Sequence, residues 1–321
     1  MQSMEQIGNQ SSAKEKAKAV GDFFYLERLN GNPVGAVRET VPALPDGVRK
    51  VGDAFLHNIS AVVSTMGIPA TLAHAAAGLQ LWTQLMLAER LRAKAADLLG
   101  NPLSEEQILN RAKEHMDRHT HEADHLFGEG MCDFLLAVHH AGTVSSAVSE
   151  LHGQGVVLMW SAFEVLARDL FVYSLNCKPD LANRILGDET TKRLFQLKGL
   201  DFETLAQYSF DVSHAMGEIL TQAHDLGNLA AMKACFTALF PDEPKLRACL
   251  SDHELLLLAQ RRHLIVHRRG IVDNRYLEST GEKLVPGSQI SVSPSDIERG
   301  LDIVCSAGIQ LLKSVAAVVP N

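Results

Sequence analysis

One short stretch brings together the residue types for anion binding and proton transfer. Residues 251–273 read SDHELLLLAQRRHLIVHRRGIVD and set Arg262, His263 and His267 in a leucine-rich run. An arginine offers a planar fork of N–H donors that matches a phosphate. A histidine titrates near neutrality and can take a proton from a ribose hydroxyl or give one to a leaving oxygen. RNA carries its own nucleophile, the 2′-OH, so one Arg and one His per subunit could cleave it without a metal. If the stretch is a helix, Arg262 shares a sector with Leu255, Leu258, Ala259 and Val266 at about 100° per residue. A charge on such a stripe costs free energy unless it is paired or meets an anion. Arg262 and His267 are then about 140° apart. One straight helix does not converge them, whereas a symmetric pair of helices would set two of each in one cleft. The plainer alternative is an arginine snorkelling from a core helix, with His267 favoured by the helix C-terminus.

Other charged residues could support this group. Glu164 lies in the apolar run VVLMWSAFEVLARDLFVYSL and should be paired. Its partner is either Arg262 or a catalytic histidine from another helix, or Arg168 one turn along its own. Asp273 and Tyr276 follow the arginine cluster and could position it, or simply close a turn. Arg261, Arg268, Arg269 and Arg275 could grip phosphates, with binding that falls as salt rises; a solvated basic helix end is the alternative. A separate motif, His121-Glu122-Ala123-Asp124-His125, matches the H-E-x-x-H of zinc hydrolases. Asp124 inside the motif and the polar approach MDRHT make it a solvated His-rich helix, with His121 and His125 as weak candidate metal ligands.

The elements that must position these residues read as helices. Ser251 with Glu254 three residues on forms a capping box for the central helix, and Gly270 stops it. Residues 30–47, dense in Pro and Gly, read as a loop. Helical pattern runs from Val48 to about Leu99, with a turn at Gly67–Pro69 and one long helix from Ala70. Ser104 with Gln107 opens another helix, which Gly128 and Gly130 interrupt. Gly153–Gly155 leads into the Glu164 helix. Residues 178–200 read as a short helical and loop region, and 201–240 as one or two helices ended by Pro241–Pro244. NRYLESTGEKLVPGSQISVSP alternates like a short hairpin or extended loop. Ser293 caps the last helix, with Pro294 at its first position and Asp296 near its N-terminus. The expected fold is all-α: a C-terminal helical bundle with a short extended segment, over 126–321, preceded by a helical N-terminal region of unassigned role over 1–125.

Composition narrows the classes. The 321 residues are 46% hydrophobic and 6% aromatic, with leucine and alanine dominant. The formal net charge of −8 argues against coating nucleic acid by bulk attraction. The local balance at 261–275, five arginines against one aspartate, still permits a basic site. The five cysteines are scattered with no CxxC, which fits reduced thiols in a cytoplasmic protein. The first twenty residues hold Lys14, Glu15, Lys16 and Lys18 and no apolar signal-peptide core. The run 301–319 is broken by Asp302, Gln310 and Lys313, and is expected to be a core helix rather than a membrane span.

The stretch QRRHLIVHRRGIVDNRY resembles the signature of the HEPN superfamily, in which an arginine is followed at four to six residues by a histidine near the end of a long helix. VVLMWSAFEVLARDLF resembles that family's early helix with an acidic residue in an apolar run, and ISVSPSDIERGLDIV resembles the tail of its bacterial defence and toxin members. The likeness covers roughly 130–321. It implies an all-helical homodimer with a composite cleft and, in many members, metal-independent endoribonuclease activity needing no cofactor. Arg262 and His267 would be the catalytic pair and His263 the polar position beside the arginine. RNA would be the substrate, with an antitoxin or defence partner in a toxin or anti-phage setting. Two features depart from the pattern. His263 stands where asparagine is common, and Arg269 stands where the adenylylation-controlled toxins carry a tyrosine. The alternatives are a non-catalytic module that binds RNA, a nucleotide or a protein, and a zinc hydrolase acting through 121–125.

Overall fold

A computed structural model describes residues 15–26, 32–142, 144–196 and 202–319, with the side chains of 118–127 outside that set. Among the described residues it is all-α with no strand; the only pairing of extended backbone is an isolated antiparallel bridge between Ile271 and Gln289. After a helical stretch at 15–21 the helices are α1 (Pro33–Thr40), α2 (Asp46–Met66), α3 (Ile68–Leu98), α4 (Glu105–His140) and α5 (Ser145–Cys177). Short helices follow: α6 (Ala182–Gly187), α7 (Glu189–Phe195), α8 (Phe202–Gln207), α9 (Met216–Ala223), α10 (Leu229–Leu239) and α11 (Pro244–Cys249). The last three are α12 (His253–Arg268), α13 (Asn274–Thr280) and α14 (Pro294–Val318).

The chain forms two compact units. One comprises the described residues of 1–26 and 66–150, the other those of 27–65 and 151–321. The boundary expected at 125/126 falls inside α4, and 27–65 joins the C-terminal unit. The first unit is built on the pairing of α3 with α4, clasped by Val20, Phe24, Ala73, Cys132 and Leu135. The Ser104 capping box opens α4 as its sequence predicts. Gly128 and Gly130 do not interrupt that helix. A glycine inside a helix costs only ~1 kcal/mol, and a side chain at Gly130 would crowd the Ala77 Cβ on α3.

In the second unit α5 is the central rod. Its residues from Val156 to Leu175 supply much of the core, Trp160, Phe163, Leu170 and Phe171 among them. The glycines at 153 and 155 lie within it rather than ahead of it. α9 approaches α5 so closely that a Cβ built on Gly217 would stand 2.5 Å from the Val172 backbone. α14 packs against α1, α11 and α12. By length and composition α14 could cross a membrane, but Ile297, Leu301, Val304, Leu311, Leu312 and Val315 are buried in the unit's own core.

Three local expectations change. Residues 33–43 are not loop: Asn32 caps α1 with its side chain accepting from the Val34 N–H at 2.9 Å, and Pro33 and Pro42 occupy opening positions of α1 and of a 3₁₀ turn. There a proline loses no intrahelical hydrogen bond. The 274–280 segment is helix α13, capped by Asp273, and the extended course begins only after Gly281. The N-cap of α12 is Asp252, which accepts from the Glu254 N–H at 2.8 Å, while the Ser251 hydroxyl donates back to the Arg247 carbonyl. At the other end Arg269 and Gly270 turn left-handed, and the Gly270 N–H closes on the Leu264 carbonyl at 2.9 Å. Cys132, Cys235 and Cys305 are buried, and all five cysteines are free thiols.

Candidate functional site

Most of the apolar stripe on α12 is used inside the chain. Leu255 and Leu258 are buried, and of the sector shared with Arg262 only Val266 is exposed. Arg262 therefore emerges at the edge of the core. Beside it opens a cleft of about 620 Å³, lined among others by Trp160, Lys233, Arg262, His263, Arg268 and Arg275. Residues 227–230, at the start of α10, form another wall, and Asp252, Asp273 and Tyr276 complete it.

The two adjacent arginines of α12 have opposite circumstances. Arg261 points into the protein and is satisfied by carboxylates: its terminal nitrogens donate to Glu282 at 2.9 Å and to Asp296 at 2.7 Å. Glu282 also accepts from the buried Tyr276 hydroxyl. Asp296 is the residue whose side chain caps α14 with Ser293. The Ser293 and Arg261 hydrogen bonds hold its carboxyl below the usual range, against the opposing effect of burial. Arg261 thus ties α12 to the extended segment and to the start of α14, and this corrects its expected role in gripping phosphate.

Arg262 is left with capacity to bind. Its Nη2 faces the Glu164 carboxylate at 3.8 Å, an ion pair without a hydrogen bond. Its Nε is shielded from water and has no hydrogen-bond partner. Of the three partners expected for Glu164 (Arg262, a catalytic histidine or Arg168), the structure brings Arg262; Arg168 turns outward to Asp169 at 3.3 Å. Burial raises the Glu164 pKa, opposed by Arg262 and the Trp160 side chain and supported by Asp225. Gly227 keeps this corner open, because a Cβ there would stand 3.2 Å from Glu164 Oε1 and 3.1 Å from Asp225 Oδ2.

His263 lines the same cleft as Arg262, and His267 does not. The two imidazoles lie against each other, centroids 4.8 Å apart and planes at 48°. Burial depresses the His263 pKa, helped by the nearby positive groups His267, Arg275 and Arg262 and opposed by Asp273. His263 is therefore the histidine that the fold places with Arg262, while His267 reaches that pair only through His263. This follows from the helical separation between Arg262 and His267 expected from their spacing.

The supporting residues divide in the same way. Asp273 caps α13 through the Tyr276 N–H at 2.8 Å and pairs with Arg268 at 3.7 Å, so it both closes a turn and steadies a cleft arginine. Tyr276 is a buried structural residue with one face on the cleft. Arg268 and Arg275 are exposed at the rim, and Arg269 is the exposed left-handed cap whose carbonyl accepts from Gln289. Lys233 and Trp160 were not foreseen. Lys233 is the lone charged residue in the apolar α10 sequence LAAMKACFTAL, and that isolation was a usable signal. Trp160 carries none, since a core tryptophan and one that also walls a cleft have the same local sequence. The 121–125 motif sits on the backbone of α4, and its side chains, including His121 and His125, lie outside the described residues. No group of three or more metal-ligating side chains occurs among the described residues.

Comparison with protein-family models, with curated proteins and with solved structures finds no match to this chain.

Proposed function

We propose that the chain is a cytoplasmic, metal-independent endoribonuclease that cuts at the Arg262–His263 cleft. The observation that carries this reading is an arginine with unsatisfied donors beside a histidine of lowered pKa in one basic cleft. The resemblance of the 251–273 region to the HEPN signature supports it. Arg262 holds the scissile phosphate and stabilises the charge that grows on its oxygens. Glu164 and Trp160 orient the guanidinium from behind. Neutral His263 takes the proton from the 2′-OH, the 2′-oxygen forms its bond to phosphorus, and the bond from phosphorus to the 5′-oxygen breaks. His267 stands outside the cleft wall, against His263, so the departing 5′-oxygen takes its proton from solvent. The products are a 2′,3′-cyclic phosphate and a 5′-hydroxyl, and solvent restores the protons. Lys233, Arg268 and Arg275 draw the strand in, as a salt-sensitive contribution. Arg262 and His263 of one chain suffice for the first proton transfer, so dimerisation becomes a matter of assembly, not a condition for forming that pair. A toxin or anti-phage setting with an antitoxin or defence partner extends the reading through the resemblance alone.

The test is the chemistry of the ends. RNA cut in chelator should carry a cyclic phosphate, and a 2′-deoxy substitution at the cut site should abolish cleavage there. Cleavage that survives the 2′-deoxy substitution removes the mechanism. One observation favours a second reading, a module that binds RNA or a nucleotide without cutting it: His267 is absent from the cleft wall. RNA binding with intact RNA after long incubation would select that reading.

A further inference from the structure

The other compact unit holds a surface that the ribonuclease reading does not use. Helix α3 is apolar on both of its long faces. One face packs on α4 through Ala73, Ala77 and Ala93, where Glu89 is buried with Arg92 and His115 as its ion-pair partners. The opposite face carries Ile68, Leu72, Leu79, Leu87, Leu91 and Leu98, exposed by 47% at Ile68 to 89% at Leu98. Exposed Ala75, Thr83 and Lys94 fill the gaps in this row at three- and four-residue steps, so the row follows one side of a helix. The six large side chains leave on the order of 700 Å² of apolar surface in water, above the ~300–600 Å² of the largest patch on a typical monomer. That is close to the ~800 Å² per partner of a standard specific interface. A helix apolar all round is ordinarily buried all round.

We infer that this face pairs with the same face of a second copy, with the two α3 helices antiparallel about Thr83. The row is nearly symmetric under that reversal. Around Thr83, Leu79 meets Leu87 of the other copy, Ala75 meets Leu91, and Ile68 meets Leu98. Leu72 meets the aliphatic stem of Lys94, whose ammonium can reach water. Each leucine of the row thus meets a leucine, an isoleucine, an alanine or a lysine stem, and none is left over. Thr83 can lie on the twofold axis without an orphaned hydroxyl, because its Oγ1 already donates to the Leu79 carbonyl at 2.8 Å. Charge selects the direction. Residues 69–83 hold no Asp, Glu, Lys or Arg, whereas Arg90 and Lys94 stand on the exposed side of the other half. Parallel helices would set those cations beside their own copies; antiparallel helices set them beside the uncharged half. A twofold contact of this kind is isologous and closes on itself.

The inference is independent of the cleft chemistry and is tested on the full chain by sedimentation equilibrium. The parent should be a dimer, and Leu79→Glu with Leu87→Glu should raise the dimer dissociation constant by at least ~100-fold while far-UV circular dichroism stays unchanged. In a Cys177→Ser background, Thr83→Cys should give a covalent dimer under mild oxidant. Asp97→Cys should not, since its two copies would stand ~40 Å apart across antiparallel helices. A monomeric parent, or a dimer indifferent to the paired glutamates, would overturn the proposal. A covalent dimer through position 97 would overturn its direction. If the glutamate variant misfolds, the two cysteine variants still decide. RNA cleavage measured on the same proteins keeps the ribonuclease reading separate, since a failed interface leaves the cleft untouched.

Discussion

Arg261→Ala should unfold this protein far more readily than Arg262→Ala, although the two positions are neighbours on α12. Arg261 is 15% exposed and meets Glu282 and Asp296, which are 22% and 9% exposed. Removing it strands two largely buried carboxylates, and taking one partner from a buried pair costs ~3–5 kcal/mol. Some of the strain is relieved, because Asp296 keeps Ser293 and Arg299 and Glu282 keeps Tyr276. The lower half of the range, ~3 kcal/mol, is therefore the expected loss. For a chain of this size that lowers Tm by roughly 5 °C. Arg262 makes no hydrogen bond to its carboxylate, and the pair is about one-quarter exposed on each side, so Arg262→Ala should cost no more than ~1 kcal/mol. Thermal melts followed at 222 nm, with urea titrations for the free energies, measure both. If Arg261→Ala melts within about 2 °C of the parent, or if the two variants lose equal stability, the division of labour between the arginines is wrong.

Further outcomes follow from the same geometry. Gly217→Ala should destabilise by roughly 3 kcal/mol, because the new methyl meets Val172 backbone that cannot turn aside; a neutral result in urea titration would show that α9 does not lie so close to α5. The depressed pKa of His263 keeps it neutral, and able to accept a proton, to a lower pH than an ordinary histidine at ~6.5. The acid limb of kcat/KM should accordingly lie below that value. Arg275→Ala removes one of the positive neighbours and should move the limb toward higher pH; a limb that stays in place under that change would remove His263 as the base.

Much of the helical framework was legible because caps are local. Ser104 with Gln107, and Ser293 with Pro294 and Asp296, each satisfy backbone groups within four residues, and both read correctly from sequence. Errors arose where distant packing overrode a local signal. Gly128, Gly130, Gly153 and Gly155 looked like breaks, yet α4 and α5 run straight through them. Pro33 and Pro42 looked like loop, yet each opens a helical turn. At the site, the sequence singled out Arg262 and Glu164 as charges that needed a reason, and the fold pairs them. It could not separate Arg261 from Arg262, because the carboxylates that claim Arg261 arrive from 21 and 35 residues further along the chain. Nor could spacing alone select His263 over His267 as the histidine of the cleft.

The proposed cleavage needs Arg262 and His263 to act together on RNA. The most direct measurement is cleavage of an end-labelled RNA by the purified full chain in EDTA, with the parent compared against Arg262→Ala and His263→Ala. Cleavage by the parent, lost at least ~100-fold in each variant while both keep the parent's helical spectrum, is the predicted result. Equal cleavage by parent and variants, or no cleavage by a folded parent, would contradict it.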